Sequence, residues 1–326
     1  MIAEHPGPCL VSVVIPAYNV SGFIAETLAS VDAQTFRHFE TIVVNDGSPD
    51  TPELEAVLQP WLNNGSIVYL KQRQTGASGA RNLAIRHARG EFLAFLDADD
   101  LWLPEYLERQ VERFQSDPAL DMHYTDMVLF GDPEVEGFNA MRLSPSERPV
   151  TLESLIEERS VPLTSATVVR RAAVIEAGCF DETITHTEDF DLWLRLALLG
   201  KRIDFQETVL ARRRLRPGSC VANPQSMYSN AIAVYEKLLR EPRLPDGARR
   251  RIPPRIRLIE ARREFERGKQ LLRDGQYKAA IEAFRAANRT FRNPKLALLV
   301  GGLHLAPGLT AALVKRRWTK PGEPRD

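Results

Sequence analysis

Three acidic side chains follow a short apolar run in EFLAFLDADDLW, where Asp97, Asp99 and Asp100 occupy three of four consecutive positions. Side chains two residues apart on extended backbone point to the same side, so Asp97 and Asp99 can face one ligand together. Carboxylate oxygens are hard ligands, and the pair therefore predicts a site for Mg²⁺ or Mn²⁺ rather than for zinc. A second interpretation stays open at this point, because acids favour the first turn of a helix and Pro104 suits the same turn.

Two further acidic groups lie in similar settings. Asp46 ends the apolar run of FETIVVND and opens NDGSPD, whose residues favour a turn that can also line a pocket. Glu188 and Asp189 begin TEDFDLWLRLALLG, which predicts a helix with Thr187 as its N-cap and Gly200 at its end. Acids at two strand ends and one helix start indicate a shared site.

The elements that must position these acids are visible in the first hundred residues. Short Val- and Ile-rich runs alternate with helical stretches, beginning with VSVVIPAY, GFIAETLASVDAQ and FETIVVND. This alternation predicts an α/β fold, with a mostly parallel, Rossmann-like sheet and helices on both faces. Ligands bind such sheets beyond the carboxyl ends of the strands. The alternation becomes irregular from about residue 120, and we assign residues 1–222 to this domain.

Residues 223–326 are arginine-rich and predict a small all-α C-terminal region. A helical hairpin is expected there, and its spacing is similar to one tetratricopeptide unit, although an ordinary hairpin fits equally. The residues with this spacing are Gly268, Tyr277, Ala280, Phe284 and Ala287.

The final stretch, from Leu296 to Trp318, is apolar for about the length of a short membrane span, but glycines and a proline interrupt it. Two interpretations stay open. One is a buried helix pair that packs on the hairpin. The other is an interfacial helix that makes peripheral contact with anionic lipid headgroups. The side chains that would hold it there are Lys315, Arg316, Arg317 and Trp318.

Composition excludes several kinds of protein. Lysine plus arginine equals aspartate plus glutamate at 43 each, so we expect no nucleic-acid partner. The three cysteines, Cys9, Cys179 and Cys220, lack metal-ligand spacing, which indicates reduced thiols in the cytosol. No basic region precedes the first apolar run, which soon meets Pro16 and Asn19, so we expect no signal peptide and a cytoplasmic location.

Five blocks of the sequence, taken in order, resemble the family 2 glycosyltransferases, which have the GT-A nucleotide-sugar transferase fold. The blocks are VSVVIPAYNV, TIVVNDGSPD, GASGARNLAIRHARGEFLAFLDADD, AGCFDE and TEDFDLWLR. The resemblance covers about residues 10–222. It implies transfer of a sugar from a nucleoside diphosphate donor, most commonly UDP-linked, to a hydroxyl group of a glycan or glycolipid. The usual setting is assembly of cell-surface polysaccharide at the inner face of a bacterial membrane.

The resemblance also implies roles at the donor. Asp46 would accept hydrogen bonds from the base or ribose, beside a base pocket shaped by residues 16–18. In the DxD motif at residues 97–99, Asp99 would bind the metal ion that bridges the diphosphate, and Asp97 would lie nearer the ribose. Arg81 would add a fixed positive charge, unless it forms a structural ion pair. The residues that would bind the donor are Pro16, Ala17, Tyr18, Asp46, Arg81, Asp97, Ala98 and Arg216.

At the acceptor, the resemblance implies that Asp189 is the general base and that Glu188 orients it or the acceptor. One displacement with one base inverts the anomeric configuration, so an alpha-linked donor gives a beta-linked product. Many relatives carry a histidine in the loop near RPGSC, where this chain has Arg216. Arginine cannot bind a cation but can bind a diphosphate, so metal binding would depend on Asp99 and the donor. The alternative is a non-catalytic nucleotide-sugar-binding or scaffold protein with a degenerate transferase fold.

Overall fold

The computed structural model describes the backbone of residues 10–216 and 224–318, and the side chains of residues 10–216 and 225–313. The chain divides into two compact units, Met1–Arg216 and Pro217–Asp326. Predictions that depend on side chains outside the described residues stay predictions. These side chains belong to Cys9, Cys220, Lys315, Arg316, Arg317 and Trp318.

Eight strands of the first unit form one sheet. The strands are β1 (Val11–Ala17), β2 (Phe39–Asp46), β3 (Ile67–Gln72), β4 (Phe92–Phe95), β5 (Leu101–Trp102), β6 (Met122–Phe130), β7 (Thr167–Arg170) and β8 (Ile203–Arg214). Their order in the sheet is β3-β2-β1-β4-β7-β6-β8-β5. The helices around the sheet are α1 (Ile24–Asp32), α2 (Thr51–Asn63), α3 (Gly76–His87), α4 (Tyr106–Ser116), α5 (Ala140–Leu143), α6 (Leu152–Ile156), α7 (Arg171–Glu176) and α8 (Glu188–Leu198).

The two halves of the sheet differ in strand direction. All neighbouring strands in β3-β2-β1-β4 are parallel. In the other half, β7 is antiparallel to β4 and β6, β8 is parallel to β6, and β5 is antiparallel to β8. Consecutive residues Val13, Val14 and Ile15 of β1 are all buried, as in strands that are covered on both faces. The predicted α/β fold is confirmed, and the antiparallel pairings belong to the part of the chain after the regular alternation ends.

The core fixes the strand ends from which the polar side chains emerge. Val13 and Ile15 of β1 belong to the same buried cluster as Ile24 and Leu28 of α1. Each such aliphatic side chain contributes about 1.5–3 kcal/mol when it is fully buried. The carboxyl ends of β1, β2 and β4 are therefore held rigidly side by side.

The residues after the acidic stretch overturn one interpretation. Leu101–Trp102 forms β5, which pairs with β8, and α4 begins only at Tyr106 with Glu105 as its N-cap. The three acids thus precede a strand and do not open a helix, so the helix N-terminus interpretation is wrong. The β5–β8 pairing instead brings the end of β8, at Arg214, to the acids.

The described part of the second unit is helical throughout. Its helices are α9 (Pro224–Leu239), α10 (Asp246–Arg273), α11 (Tyr277–Phe291), α12 (Pro294–Leu305) and α13 (Pro307–Trp318). Helices α10 and α11 pack together as a hairpin, whose core includes Leu272, Phe284 and Ala287. The similarity to a tetratricopeptide unit stays a prediction. Within residues 10–216 and 224–318, no helix is both long enough and apolar enough to cross a membrane.

A glycine permits the close packing of this hairpin. A Cβ atom added at Gly268 would lie 2.6 Å from Cε1 of Phe284, whose side chain is fully buried. Because the Phe284 ring has no free space to move into, we expect Gly268→Ala to lower the free energy of unfolding by about 1–3 kcal/mol. This loss would outweigh the better helix propensity of alanine, about 1 kcal/mol.

Urea unfolding of the full chain, followed by circular dichroism, measures the effect. Gly247→Ala in the same helix α10 is the matched control, because an added Cβ there would meet nothing within 4 Å. We expect the control to be neutral or slightly stabilising. Equal stability of the two variants would contradict the packing of α10 against α11.

Candidate active site

The acidic side chains predicted to bind a ligand begin at neighbouring strand ends. Asp46 is the last residue of β2, and Asp97 follows β4 by two positions. Strand β1 lies between these two strands and ends at Ala17. Because the three strands are parallel, residues 17–19, 46–50 and 97–100 meet at the carboxyl edge of the sheet.

Asp46 is buried and bonded to the loop that leads into α3. Its Oδ1 accepts hydrogen bonds from Gln72 Nε2 at 2.7 Å and from the backbone N–H of Thr75 at 2.9 Å, while Oδ2 accepts one from the Gly76 N–H at 2.7 Å. Gly47 follows with a left-handed φ of 64°, and a Cβ there would lie 2.7 Å from the Gln74 backbone nitrogen. NDGSPD therefore forms the predicted turn, and Asp46 fixes it to the loop before α3.

The loop after β1 is tied to the loop after β2. The N–H of Asn19, which has a φ of 54°, donates to Ser48 Oγ at 2.6 Å, and the N–H of Ser21 donates to Asp50 at 2.8 Å. Next to them, Tyr18 is 43% exposed, an unusual degree for a large ring. Of the residues predicted to shape a base pocket, Ala17 is buried, Pro16 is half-buried, and Tyr18 alone presents a ring to solvent.

Arg81 of α3 joins the strand-end acids to the acids of α8. Its side chain is 4% exposed; Nη2 donates to Asp97 Oδ1 at 2.7 Å and Nη1 to Glu188 Oε1 at 2.6 Å. Its guanidinium also lies 5.4 Å from the ring centre of Phe180. Burial alone would lower the pKa of Arg81, but Asp97 and Glu188 outweigh burial and raise it above the ordinary value. Arg81 therefore forms structural ion pairs, which was one of the two roles considered for it from the sequence. These ion pairs link Asp97 at the strand end to Glu188 at the start of α8.

The Arg81 guanidinium carries one positive charge and lies near three acidic side chains. Asp97, Glu188 and Asp189 all act on Arg81 electrostatically. The pKa of the Glu188 carboxyl is raised because its side chain is buried, and Asp189 adds to this shift although Arg81 opposes it. A buried arginine shared by several carboxylates leaves excess negative charge, which favours a cationic ligand at this edge.

Asp99 is bound by the end of the chain segment that follows β8. Arg216 Nε donates to Asp99 Oδ2 at 2.6 Å, and the Arg216 guanidinium lies 4.9 Å from the ring centre of Phe23. Asp97 and Asp99 therefore have different partners, Arg81 and Arg216. Asp99, which is predicted to bind a metal ion, is therefore in direct contact with Arg216.

Arg214 and Asp100 fix the backbone of the acidic stretch. The Arg214 N–H donates to Asp100 Oδ1 at 2.8 Å, and Arg214 Nε donates to the Asp99 carbonyl oxygen at 2.9 Å. Burial, together with the charges of Asp97 and Asp99, raises the pKa of Asp100 to about 8. The carbonyl oxygens of Ala98 and Asp100 both lie 2.9 Å from Thr27 Oγ1 and share its single O–H donor. Ala98 is itself buried, so it contributes its backbone rather than its side chain.

The acids suit a divalent cation chemically, because hard carboxylate oxygens are what Mg²⁺ and Mn²⁺ prefer. The described residues nevertheless contain no group of three or more acidic, histidine or cysteine side chains placed to hold a metal ion together. Asp97 and Asp99 are each bound to an arginine. A divalent ion fits here only if a ligand supplies most of its oxygen atoms and Asp99 exchanges its partner.

Asp189 lies in the first turn of α8 and is half-buried. Its Oδ2 accepts a hydrogen bond from Thr164 Oγ1 at 2.6 Å, and its Oδ1 accepts one from the Phe190 N–H at 2.7 Å. Thr164 begins a 3-10 turn that leads into β7. The carboxylate is therefore oriented from two sides and keeps access to solvent.

Thr187 begins α8 in an unexpected way. It occupies the N-cap position, but its φ of 65° is left-handed, and its side chain makes no capping hydrogen bond. The prediction that this side chain caps the helix is therefore wrong. A positive φ is strained for a β-branched residue, and such strain is common where a fold holds functional groups in place.

Sequence reasoning missed three residues of this edge. Thr164 orients Asp189, Ser165 Oγ accepts the Asp97 N–H at 3.0 Å, and Arg214 binds the backbone of the acidic stretch. The segment LTSATVVRR carried a signal, since two polar residues precede a strand at its buried end. Arg214 is one of three consecutive arginines, and the sequence does not indicate which of them contacts the acidic stretch.

Curated relatives match part of the chain. Three of them, uncharacterized glycosyltransferases of Rickettsia species, are 29% identical over 213 residues, and the chain spans about a third of their length. The UDP-Glc:alpha-D-GlcNAc-diphosphoundecaprenol beta-1,3-glucosyltransferase WfgD of Escherichia coli is 28% identical over 187 residues, which cover 57% of this chain and 69% of WfgD.

Solved structures match nearly the whole chain. S. aureus TarS 1-349 in complex with UDP-GlcNAc has a TM-score of 0.63 at 20% identity and covers 97% of this chain and 93% of its own. The mannosyltransferase PcManGT from Pyrobaculum calidifontis, in complex with GDP-Man and Mn²⁺, has the same TM-score and identity and covers 97% and 92%. These likenesses show that the predicted GT-A fold is correct.

The match to a family model lies in the first unit. Residues 12–162 match the family model described as Glycosyl transferase family 2. This range contains the acids at positions 46 and 97–100 and the bridging Arg81, while Glu188, Asp189 and Arg216 lie beyond it. Residues 12–162, just under half of the chain, are therefore similar to glycosyl transferase family 2.

Proposed function

We propose that this protein transfers a sugar from a nucleoside diphosphate donor to a hydroxyl group of a glycan or glycolipid acceptor. The observation that carries the proposal is Arg81, whose two terminal nitrogens hold Asp97 and Glu188 at 2.7 and 2.6 Å. This contact joins the strand end suited to a diphosphate to the helix start that presents Asp189. WfgD is named for a UDP-sugar donor and a diphosphoundecaprenol-linked acceptor, which favours UDP and a lipid-linked acceptor.

The donor nucleotide would lie across the ends of β1 and β2. The exposed ring of Tyr18 offers a face on which a base can stack. Asp46 is 3% exposed and already accepts hydrogen bonds from residues 72–76, so its first task is to hold that loop. Its Oδ2 accepts a single hydrogen bond among the described residues and retains a lone pair for the base or ribose.

The diphosphate would lie over the acidic stretch, where Arg216 can change partner. A guanidinium binds a diphosphate through two parallel hydrogen bonds, which a single carboxylate oxygen does not offer. Transfer of Arg216 to the diphosphate would leave Asp99 available to Mg²⁺ or Mn²⁺. When bound, such an ion would offset the negative charge that develops on the leaving diphosphate.

Asp189 would act as the base. The acceptor hydroxyl gives its proton to the Asp189 carboxylate, the oxygen bonds to the anomeric carbon, and the bond from that carbon to the diphosphate oxygen breaks. Attack from the side opposite the leaving group inverts the anomeric configuration. Thr164 keeps Asp189 oriented through its hydrogen bond at 2.6 Å, and Glu188 is held away from the acceptor by Arg81.

A thermal-shift screen tests this function. Ligands that bind only the native state raise the unfolding midpoint, so nucleoside diphosphates with and without Mn²⁺ would identify the base and the dependence on metal. We expect a shift with UDP that increases when Mn²⁺ is added. Slow hydrolysis of the matching nucleotide sugar would then separate an enzyme from a binding protein. No shift with any nucleoside diphosphate would overturn the proposal.

The exchange of Arg216 makes a separate prediction. Arg216→Gln removes the guanidinium from Asp99, so the affinity for Mn²⁺ in the absence of donor should rise. The affinity for UDP should fall about tenfold or more, because a charge-assisted hydrogen bond contributes about 1.5–3 kcal/mol. Isothermal titration calorimetry measures both affinities.

Arg212→Gln is the control for this variant. Arg212 lies in β8, four positions before Arg216, and its guanidinium is 4.5 Å from the ring centre of Phe130. The control removes the same charge from the same segment, without the bond to Asp99, and should change both affinities little. Identical titrations for Arg216→Gln and the native protein would show that Arg216 serves neither ligand.

A further inference from the structure

The last two helices expose several large apolar side chains. Four leucines of α12 and α13 are mostly open to solvent: Leu298 is 77% exposed, Leu305 88%, Leu309 67% and Leu313 63%. Single exposed leucines are ordinary, but four within sixteen residues form an apolar surface that a monomeric soluble protein rarely shows.

This surface is distinct from the core of the second unit. Leu296, Val300 and Leu303 of α12 are buried in that core, together with Ala311 of α13. Helix α12 is thus apolar on two sides, and folding uses only one of them. The leucines on the other side, Leu298 and Leu305, do not pack in this core, so folding of the second unit does not account for them.

The charge around the exposed leucines has one sign. Residues 283–322 contain no aspartate or glutamate. Four exposed basic residues precede the leucines in this stretch: Arg285, Arg289 and Arg292 at the end of α11 and Lys295 at the start of α12. No described carboxylate lies within ion-pair distance of Arg285 or Arg289. Since the whole chain has equal numbers of acidic and basic residues, this separation is local.

A groove lies beside two of the basic residues. It lies between α11 and α12, has a volume of about 400 Å³, and is lined by Arg285, Asn288, Arg289, Ala297 and Val300. Ala297 and Val300 belong to α12, the helix that also carries the exposed Leu298 and Leu305. Two guanidinium groups and an amide are the donors that a phosphate group needs.

We propose that α11, α12 and α13 bind the surface of an anionic phospholipid membrane. Leu298, Leu305, Leu309 and Leu313 insert at the boundary between headgroups and acyl chains, and Arg285 and Arg289 bind a lipid phosphate in the groove. Stable attachment to a membrane generally needs two signals, and this surface supplies an apolar one and a basic one. The proposal does not depend on the transfer reaction.

A second copy of the chain fits this surface poorly. In a two-fold symmetric dimer the same patch faces itself, so the basic residues of one copy would approach those of the other with no acid between them. Nucleic acid would meet the basic residues but would leave the leucines exposed to water. An anionic membrane satisfies both parts.

Flotation of the full chain with vesicles tests the proposal, with phosphatidylcholine alone compared with phosphatidylcholine containing phosphatidylglycerol. We expect binding to the anionic vesicles only, and weaker binding as salt is raised. Arg285→Glu with Arg289→Glu should lower the partition coefficient about a thousandfold, because each basic residue near an anionic surface contributes about 1 kcal/mol and each reversal changes two charges. The control is Arg250→Glu with Arg257→Glu, the same change at two exposed arginines of α10.

A second set of substitutions tests the contribution of the exposed leucines to membrane binding. Replacing Leu298, Leu305 and Leu309 together by glutamine should lower the partition coefficient by a similar factor, whereas Ile175→Gln, at a 51% exposed side chain of α7, should not. Native-like binding of either test variant would overturn the proposal. Failure of the native chain to float with anionic vesicles would also overturn it. If sedimentation shows a dimer that the leucine substitutions dissociate, the surface binds a second copy of the chain instead.

Discussion

Asp189→Asn should lower turnover about a hundredfold or more, since asparagine cannot accept the proton of the acceptor hydroxyl. The structure suggests that the variant folds normally. The amide oxygen can still accept the Phe190 N–H, and Thr164 Oγ1 can rotate to accept the new amide N–H where it now donates at 2.6 Å. Donor affinity, measured by calorimetry, should be unchanged, because the substitution acts at the acceptor rather than at the diphosphate.

Thr164→Ala is the matched variant for this experiment. It leaves the carboxylate of Asp189 in place and removes the hydrogen bond that orients it. We expect a smaller loss of turnover, about tenfold, with the pH profile retained. Near-normal turnover and an unchanged pH profile in Asp189→Asn would refute the assignment of the base and make Glu188 the next candidate.

Arg81→Met should cause the largest loss of stability. The substitution leaves the buried Glu188 carboxylate and Asp97 without the guanidinium that binds both. Removing one partner of a buried ion pair costs about 3–5 kcal/mol, most of it from the charge left behind. Urea unfolding at neutral pH measures the change in the free energy of unfolding.

A second substitution separates charge from packing. Arg81→Met combined with Glu188→Gln removes the uncompensated charge and should recover part of the lost stability. The sign of the pH dependence follows from Glu188, whose pKa in the folded protein is already raised by burial. A carboxyl with a raised folded-state pKa gives stability that is lost as pH rises through that pKa, and loss of Arg81 raises the pKa further. Arg81→Met should therefore be least destabilised at low pH, and a loss that does not vary with pH would contradict this account.

The parallel half of the sheet could be predicted because each of its strands is a local pattern. VSVVIPAY and FETIVVND each contain consecutive apolar residues, Val13–Ile15 and Ile42–Val44, because both faces of these strands are buried, and this leaves polar strand ends such as Asp46 conspicuous. The acids at 97–100 stood out for the same reason. These placements depend on a few neighbouring residues, which the sequence displays directly.

The partners of those acids could not be predicted, because they depend on strand pairing over long distances. Arg214 reaches Asp100 only through the antiparallel pairing of β5 with β8, and β5 is two residues long. Neither residue pattern nor spacing distinguishes Arg214 and Arg216 from Arg212 and Arg213. The left-handed conformation of Thr187 was equally hidden, since threonine favours other backbone regions and tertiary contacts must impose it.

The contacts that join the acids have a consequence for the synthesis of the protein. Arg81 and Glu188 are 107 positions apart, and the ion pair between Glu26 and Arg214 spans 188 positions. Contacts of such separation form late, since the chain between them must first be ordered. A nascent chain that has not yet emerged from the ribosome past Arg216 lacks a partner for Asp99, although all four parallel strands are already complete. The proposed donor site is therefore completed only after the whole first unit has left the ribosome, and we expect nascent chains to bind nucleotide sugar more weakly than released chains.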